Sequence, residues 1–319
     1  MFSTVVSFYL HEATGDPMLI SSTITFFAGI FMRLAGTDDY PKPIGKRESF
    51  LMVALSWIVL SAFGMLPFYL SGSINEVCDA YFETISGLTA TGATILTDIE
   101  SMPKGLLFWR SITQWMGGLG IVVFVATILP MGGNASVLYD TEVTGIGYDK
   151  FRPRISQIAK RLWVVYIFLT TALILLLWMG PMNLFDSVCH AFTTISTAGF
   201  STKNNSIAYW DSAYIEYVIT IFMFIGGINF PLIYFFMKGD PKKWYVLIII
   251  IFVFIIGFGL CFSEKMEGIE KTFRTSLFQV VSVLTTTCHS TENFMDWGPF
   301  YQFMVIIFMI FGACAGSTA

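Results

Sequence analysis

Seven long apolar segments set the first limit on how this chain can fold. Each is close to the roughly 20 apolar residues that an α-helix needs to cross the hydrocarbon core of a bilayer. Charged residues make up only 13% of the sequence and hydrophobic residues 55%, unlike a soluble domain. The sequence therefore predicts an all-α integral membrane protein. The long segments are residues 18–34, 49–70, 105–131, 162–179, 214–237, 244–262 and 300–319.

Three shorter apolar segments interrupt this series, at residues 77–88, 184–195 and 273–284. They are too short to span a bilayer and favour re-entrant helices that return to the side they came from. The connections then place most of the 18 Lys and Arg residues on one side of the membrane. The positive-inside rule makes that side cytoplasmic, so the short helices are predicted to enter from the outside.

The three short segments are copies of one pattern. Residues 79–94, 186–201 and 275–290 align so that Gly92, Gly199 and Cys288 share one turn position. Each copy has one hydroxyl residue six positions before it and another three positions before it. A pair of small residues follows each turn at a similar distance, which favours close packing of helices. These pairs are Gly117-Gly118, Gly226-Gly227 and Gly312-Ala313.

Such turns indicate a function, because irregular backbone at membrane depth is stable only when it is buried in protein or lines a wet cavity. Several turns around one axis supply carbonyl oxygens that can replace the hydration shell of a monovalent cation. The C-terminal end of each short helix carries a partial negative charge and also favours a cation. The predicted ion-binding residues are Thr89, Ala90, Thr91, Gly92, Ser196, Thr197, Ala198, Gly199, Thr285, Thr286, Thr287 and Cys288.

An ordered set of strings resembles a known family of transporters. The strings are "FETISGLTATGAT", "WRSITQWMGGLGIVVFVATILP", "RPRISQIAKRLW", "FTTISTAGFST", "LFQVVSVLTTT" and "GACAGSTA". They resemble the superfamily of K⁺ transporters that includes the TrkH, KtrB and plant HKT proteins. The sequence is most similar to the TrkH type, which is the membrane subunit of the bacterial Trk potassium uptake system. The resemblance begins near residue 39 and continues to residue 319.

This resemblance implies a fold of four membrane-pore-membrane (M1-P-M2) units around a pseudo-four-fold pore, preceded by an extra helical pair. We expect a fragment of that fold, with the third unit truncated and the fourth absent. The expected boundaries are 1–47 for part of the helical pair and a cytoplasmic loop, 48–131 for the first unit, 132–161 for a cytoplasmic linker, 162–237 for the second unit and 243–319 for the third.

The resemblance also implies a function and partners. The function is potassium ion uptake across the bacterial inner membrane through a selectivity filter, with K⁺ as the transported ion and no organic cofactor. The partners are membrane lipid, a second copy in a homodimer, and a cytoplasmic TrkA-type nucleotide-binding regulator. The basic loops "KFRPRISQIAKR" and "KGDPKK" are candidate docking sites for that regulator, although membrane topology explains their charge equally well.

A predicted gate follows from the same resemblance. The family places a loop of small residues beneath the filter, within the second long helix of the third unit, and this loop acts as a gate. Packing of small residues against a neighbouring helix explains Gly312 and Gly316 about as well. The predicted gate residues are Gly312, Ala313, Cys314, Ala315, Gly316 and Ser317.

The third turn departs from the family pattern, which has Gly where this chain has Cys288. A β-carbon makes a positive φ less favourable by ~1 kcal/mol or more, so we expect a weaker preference for K⁺ over Na⁺ at this turn. We interpret His289 as a solvated residue of the outer mouth rather than as a pH sensor. The remaining four cysteines lack CxxC spacing and are interpreted as small buried hydrophobic residues.

Two charged residues fall within the predicted membrane segments. Glu83 aligns with His190 and Gln279 and has two interpretations. It is either a functional carboxylate or a hydrogen-bonding group that ties the short helix to its neighbours. Arg110 is expected to extend its side chain to the outer interface.

Two other classes of function compete with ion uptake. A non-conducting or weakly selective membrane scaffold derived from the same family is suggested by Cys288 and by the expected absence of a fourth unit. A membrane-embedded enzyme would need a catalytic constellation, and the sequence has no HExxH, P-loop or GxSxG motif. The net charge of −4 argues against nucleic acid as a partner. We therefore predict no catalytic residues.

Overall fold

The computed structural model describes residues 2–9, 14–36, 46–118, 120, 155–227, 268–292 and 297–311. Several predicted features lie outside these residues: the gate at 312–317, the long segment 244–262, the loop "KGDPKK" and most of the linker at 132–161. Within the described ranges the secondary structure is helical, and no strand occurs there.

The helices follow the predicted order of long helix, short helix, turn and long helix. The bounds are α1 Phe2–Tyr9, α2 Gly15–Ala35, α3 Lys46–Gly64, α4 Leu66–Leu70, α5 Val77–Leu88, α6 Lys104–Gly118, α7 Ile155–Met179, α8 Leu184–Ile195, a 3₁₀ helix at Ser206–Trp210, α9 Ala213–Gly227, α10 Ile269–Leu284 and α11 Pro299–Phe311. The predicted order runs through α3 to α6 and again through α7 to α9, while α10 and α11 give the short helix and second long helix of a third copy.

In the part of the chain that the structure describes, two helical stretches, Gly15–Ala35 and Phe50–Leu70, are long and apolar enough to cross a membrane. The second is interrupted at Met65, where α3 ends and α4 begins with Pro67 in its first turn. Large apolar side chains on α2 point outward, and Phe31 and Leu34 are 73% and 78% exposed. Such an apolar outer surface is expected where the surrounding medium is hydrocarbon instead of water.

The short helices α5 and α8 have the bounds predicted from the sequence, whereas α10 begins four residues earlier than predicted, at Ile269. The helix α6 packs against α5 and also against α8. In the same way, α9 packs against α8 and also against α10. The helices α6 and α9 therefore each join their own short helix to the next one along the chain.

Close packing at the small-residue pairs places the helices against the turns. A Cβ built on Gly117 would overlap the Leu88 carbonyl oxygen at the end of α5, and one on Gly118 would lie 2.5 Å from the Ser196 Cβ. A Cβ on Gly226 would lie 3.2 Å from the Ile195 carbonyl oxygen at the end of α8. The predicted packing role of these two pairs is confirmed.

Candidate functional site

The backbone leaves α5, α8 and α10 along the same path. Within each turn, two residues that lie two positions apart have positive φ. Ala90, Thr197 and Thr286 have φ of 57°, 53° and 57°, and Gly92, Gly199 and Cys288 have φ of 74°, 80° and 59°. Positive φ is unusual for β-branched residues such as Thr and indicates local strain, which is common at functional sites. We call residues 89–92, 196–199 and 285–288 walls 1, 2 and 3.

Backbone hydrogen bonds explain the predicted hydroxyl pattern. In every wall, the last two amide groups donate to the carbonyl oxygen of the residue six positions before the turn position. That residue is Ser86 for wall 1, Thr193 for wall 2 and Ser282 for wall 3. The hydroxyls of Ser86 and Ser282 also donate to the backbone just beyond the wall, at 2.5 and 2.6 Å. These residues therefore fix the shape of the turns.

The walls stand side by side. A Cβ built on Gly92 would overlap the Ala198 carbonyl oxygen, and a Cβ built on Gly199 would overlap the Thr287 carbonyl oxygen. The backbone of wall 2 therefore occupies the space beside the turn glycine of wall 1, and wall 3 does the same for wall 2. The three short helices end at this cluster and direct the negative ends of their dipoles toward it.

Wall 3 differs from the others at its turn position. Beside Gly92 and Gly199, a carbonyl oxygen of the next wall occupies the space that a Cβ would need. Cys288 has its own Cβ at the equivalent point, and its side chain is exposed. Cys288 also has φ of 59°, so it adopts the left-handed conformation that the alignment predicted for this position. The structure brings the predicted ion-binding residues of the three walls together, and their role in binding an ion stays a prediction.

A buried ion pair lies behind walls 1 and 2. Arg110 Nε donates to Glu83 Oε1 at 2.8 Å, and both side chains are about 1% exposed. Arg110 also donates to the Ser201 carbonyl oxygen at 3.2 Å, and its guanidinium group lies 4.0 Å from the centre of the Phe200 ring. The prediction that Arg110 extends to the interface is wrong, because Glu83 neutralises the charge locally.

Glu83 completes this network on the side of wall 1. Its carboxylate accepts hydrogen bonds from the Thr94 hydroxyl at 3.0 Å and from the Ile95 amide at 3.2 Å. The aligned residues act similarly, since His190 Nε2 contacts the Ser201 hydroxyl at 3.0 Å and Gln279 Nε2 donates to the Glu292 carbonyl at 3.1 Å. These contacts favour the structural interpretation of Glu83, in which it ties the short helix to the chain that follows its wall.

Gln114 contacts wall 2, a role that the sequence pattern does not predict. Its Nε2 donates to the Ala198 carbonyl oxygen at 3.1 Å, and its Oε1 accepts from the Phe200 amide at 3.1 Å. The signal available in the sequence was an amide side chain within a predicted membrane segment, one helical turn after Arg110 and three residues before Gly117. Such a side chain is fully satisfied only when it meets both a donor and an acceptor.

The prediction that His289 is a solvated mouth residue is wrong. His289 is 1% exposed, and its Nε2 lies 3.1 Å from the Thr194 hydroxyl on α8. The contact joins the chain after wall 3 to the short helix before wall 2. Among the other cysteines, Cys189 is buried as predicted, but Cys78 at the start of α5 is exposed. Cys261 and Cys314 lie outside the described residues.

Outside the walls, Asn204 joins two loops. Its Oδ1 accepts from the Ile99 amide at 2.7 Å, and its Nδ2 donates to Asp98 Oδ1 at 3.1 Å. The hydrogen bond from Asn204 Nδ2 stabilises the ionised carboxylate and lowers the pKa of Asp98.

Across the described residues, no group of three or more His, Cys, Asp or Glu side chains could hold a metal ion. The predicted ligands for a cation stay the backbone oxygens of the three walls.

Comparisons with known proteins agree with this arrangement. A family model described as TrkH, a cation transport protein, matches residues 20–247. The Trk system potassium uptake protein TrkH of Escherichia coli K12 is 39% identical over 289 residues, which cover 86% of this chain and 59% of the relative. The protein of the same name from Vibrio parahaemolyticus is 35% identical over 328 residues, covering 98% of this chain and 67% of the relative.

A solved structure has the same fold. The crystal structure of the potassium transporter TrkH from Vibrio parahaemolyticus superimposes with a TM-score of 0.85 and 32% sequence identity. The superposition covers 99% of this chain and 67% of that chain. The chain therefore spans about three fifths to two thirds of the length of these relatives.

Proposed function

This chain belongs to the TrkH family of cation transport proteins, and from that premise we propose that it conducts K⁺ as the membrane subunit of a Trk-type uptake system. The family is one of membrane transporters, so the membrane-embedded enzyme is no longer a candidate. The observation that carries the proposal is the contact between three walls of equal conformation, each at the C-terminal end of a short helix.

The physical basis of conduction is the replacement of water by backbone oxygen. A K⁺ ion that enters between the walls loses part of its hydration shell, and wall carbonyls take the place of the lost waters. The partial negative charges at the ends of α5, α8 and α10 stabilise the ion at that point. Because hydrogen bonds to Ser86, Thr193 and Ser282 hold the walls in place, the oxygens need little rearrangement when the ion arrives.

The finer parts of the proposal come from the family. We place the protein in the bacterial inner membrane as a multi-pass homodimer that a TrkA-type regulator controls from the cytoplasm. We also propose M1-P-M2 units at residues 48–131, 162–237 and 243–319. The gate at 312–317 and the docking loop "KGDPKK" stay predictions, since they lie outside the described residues. "KFRPRISQIAKR" lies there too, apart from its helical residues from Ile155 onward.

One observation favours the second candidate, a weakly selective or non-conducting scaffold. The turn glycines of walls 1 and 2 leave space for the carbonyl of the next wall, and Cys288 fills the equivalent space with its own Cβ. A fourth turn could not approach wall 3 as closely as wall 3 approaches wall 2. The two candidates therefore differ in whether the protein takes up K⁺ selectively enough to support growth when K⁺ is scarce.

Growth on low K⁺ separates the two candidates. We expect the full-length gene, expressed with its own regulator, to restore growth of a bacterial strain that lacks K⁺ uptake systems. The amount of protein in the membrane fraction is measured in parallel, and the empty vector serves as the control. Failure to grow, with the protein present in the membrane, would contradict the proposed function and favour the scaffold.

A further inference from the structure

We propose that Gln114 is a positioning residue that sets ion selectivity by holding wall 2 at a fixed distance from wall 1. The inference rests on the proposed function and deepens it, because it names a residue that tunes the same site. Gln114 is 0% exposed and lies on α6, between walls 1 and 2.

The amide group of Gln114 brackets the turn glycine of wall 2. It binds the Ala198 carbonyl on one side of Gly199 and the Phe200 amide on the other, each at 3.1 Å. Gly199 has φ of 80°, a left-handed conformation that glycine adopts readily, so the bracketed peptide groups flank the turn of the wall. Only a side chain with a donor and an acceptor in one plane can make both contacts, which excludes apolar and singly polar replacements.

The contact spans two copies of the repeat. Gln114 follows the turn of wall 1 in the chain, whereas Gly199 belongs to wall 2. The Ala198 carbonyl that Gln114 holds is also the oxygen that a Cβ on Gly92 would overlap. Gln114 therefore controls the position of the atom at which walls 1 and 2 touch.

Arg110 supports the same segment from one helical turn earlier. It donates to the Ser201 carbonyl oxygen at 3.2 Å and lies against the Phe200 ring. Residues four apart on a helix share one face, so the side chains of Arg110 and Gln114 contact the same segment, residues 198–201. The structure thus assigns to one face of α6 the task of aligning wall 2.

The next helix lacks this polar face. Aligning Gly226-Gly227 with Gly117-Gly118 places Met223 at the position of Gln114 and Ile219 at the position of Arg110. Both are fully buried apolar residues on α9 and have no amide or guanidinium group with which to bracket wall 3. Wall 2 is therefore held by directed hydrogen bonds from α6, whereas these two positions of α9 have no side-chain nitrogen or oxygen donor or acceptor to offer to wall 3.

We expect the selectivity for K⁺ over Na⁺ to depend on the hydrogen bonds that Gln114 makes to wall 2. A site built from carbonyl oxygens discriminates between K⁺ and Na⁺ through the number and placement of those oxygens. Loss of the Gln114 bracket frees the Ala198 carbonyl and the Phe200 amide to reorient. We expect the ratio of K⁺ to Na⁺ uptake to fall about fivefold or more, which corresponds to ~1 kcal/mol.

The test uses the full-length protein carrying Gln114→Met, which gives α6 the residue found at the aligned position of α9. Met223→Leu is the matched control, because it changes a buried residue at that position without removing a polar contact. We expect a lower ratio of K⁺ to Na⁺ uptake in Gln114→Met and an unchanged ratio in Met223→Leu. A ratio within twofold of wild type in Gln114→Met would overturn the inference.

A second readout does not depend on transport. The thermal unfolding midpoint of purified protein in detergent is measured in KCl and in NaCl at equal concentration. If Gln114 positions wall 2, Gln114→Met shrinks the extra stabilisation that K⁺ gives over Na⁺. A purely structural role would lower both midpoints equally and overturn the inference. K⁺-specific stabilisation of the wild type without K⁺ uptake would instead mean that the proposed transport function fails.

Discussion

Gly199→Cys is expected to abolish the preference for K⁺ over Na⁺ in uptake by the full-length protein. Its Cβ would overlap the Thr287 carbonyl oxygen, and backbone at this position cannot move aside as the end of a flexible side chain can. The new residue would also have to adopt φ of 80°, which is unfavourable by ~1–2 kcal/mol for an L-residue with a β-carbon. Walls 2 and 3 must then separate. Gly92→Cys is expected to act in the same way on walls 1 and 2.

The matched control for this substitution is Cys288→Gly, which changes the same position of the next wall in the opposite direction. Gly accepts positive φ without strain and removes the Cβ, so we expect a greater preference for K⁺ over Na⁺. The measurement is the ratio of K⁺ to Na⁺ uptake at equal amounts of protein in the membrane. An unchanged ratio in Cys288→Gly beside a collapsed one in Gly199→Cys would show that wall 3 contributes little to selection.

Glu83→Gln is expected to destabilise the protein strongly. Arg110 is buried and has Glu83 as its ion-pair partner, and breaking a buried pair costs about 3–5 kcal/mol because it leaves an uncompensated charge. Arg110→Met should have an effect of the same kind, since it leaves the Glu83 carboxylate buried. The double variant should be more stable than the sum of the two single effects predicts, because it removes both charges together.

Unfolding of the purified protein in detergent measures these effects. The control is Glu100→Gln, which breaks a partly exposed ion pair in which Glu100 lies 3.6 Å from Lys203. Exposed pairs contribute about 0–1 kcal/mol, so this change should have little effect. A Glu83→Gln variant as stable as Glu100→Gln would contradict the account of the buried pair.

The short helices could be predicted from sequence because local signals define them. The helices α5 and α8 end where Thr, Ala and Gly replace apolar residues, and both have their predicted bounds. The repeat was equally informative, since it placed Cys288 at the turn position of Gly92 and Gly199. All three residues have positive φ in the structure.

The tertiary partners of buried polar residues could not be predicted in the same way. Arg110 is buried because Glu83 lies on another helix and Ser201 follows another wall, contacts that span 27 and 91 residues of the chain. His289 is buried because α8 supplies Thr194, 95 residues away. Helix periodicity and composition report on the residue and its near neighbours, so they favoured an exposed position for both side chains.

The position of a bound ion tests the central claim most directly. Thallium(I) can stand in for K⁺, and its anomalous scattering locates it in crystals of the full-length protein. We expect a Tl⁺ peak enclosed by residues 89–92, 196–199 and 285–288, which excess K⁺ displaces more readily than excess Na⁺. A protein that takes up K⁺ but binds Tl⁺ only away from these walls would contradict the assignment of the walls as the ion filter.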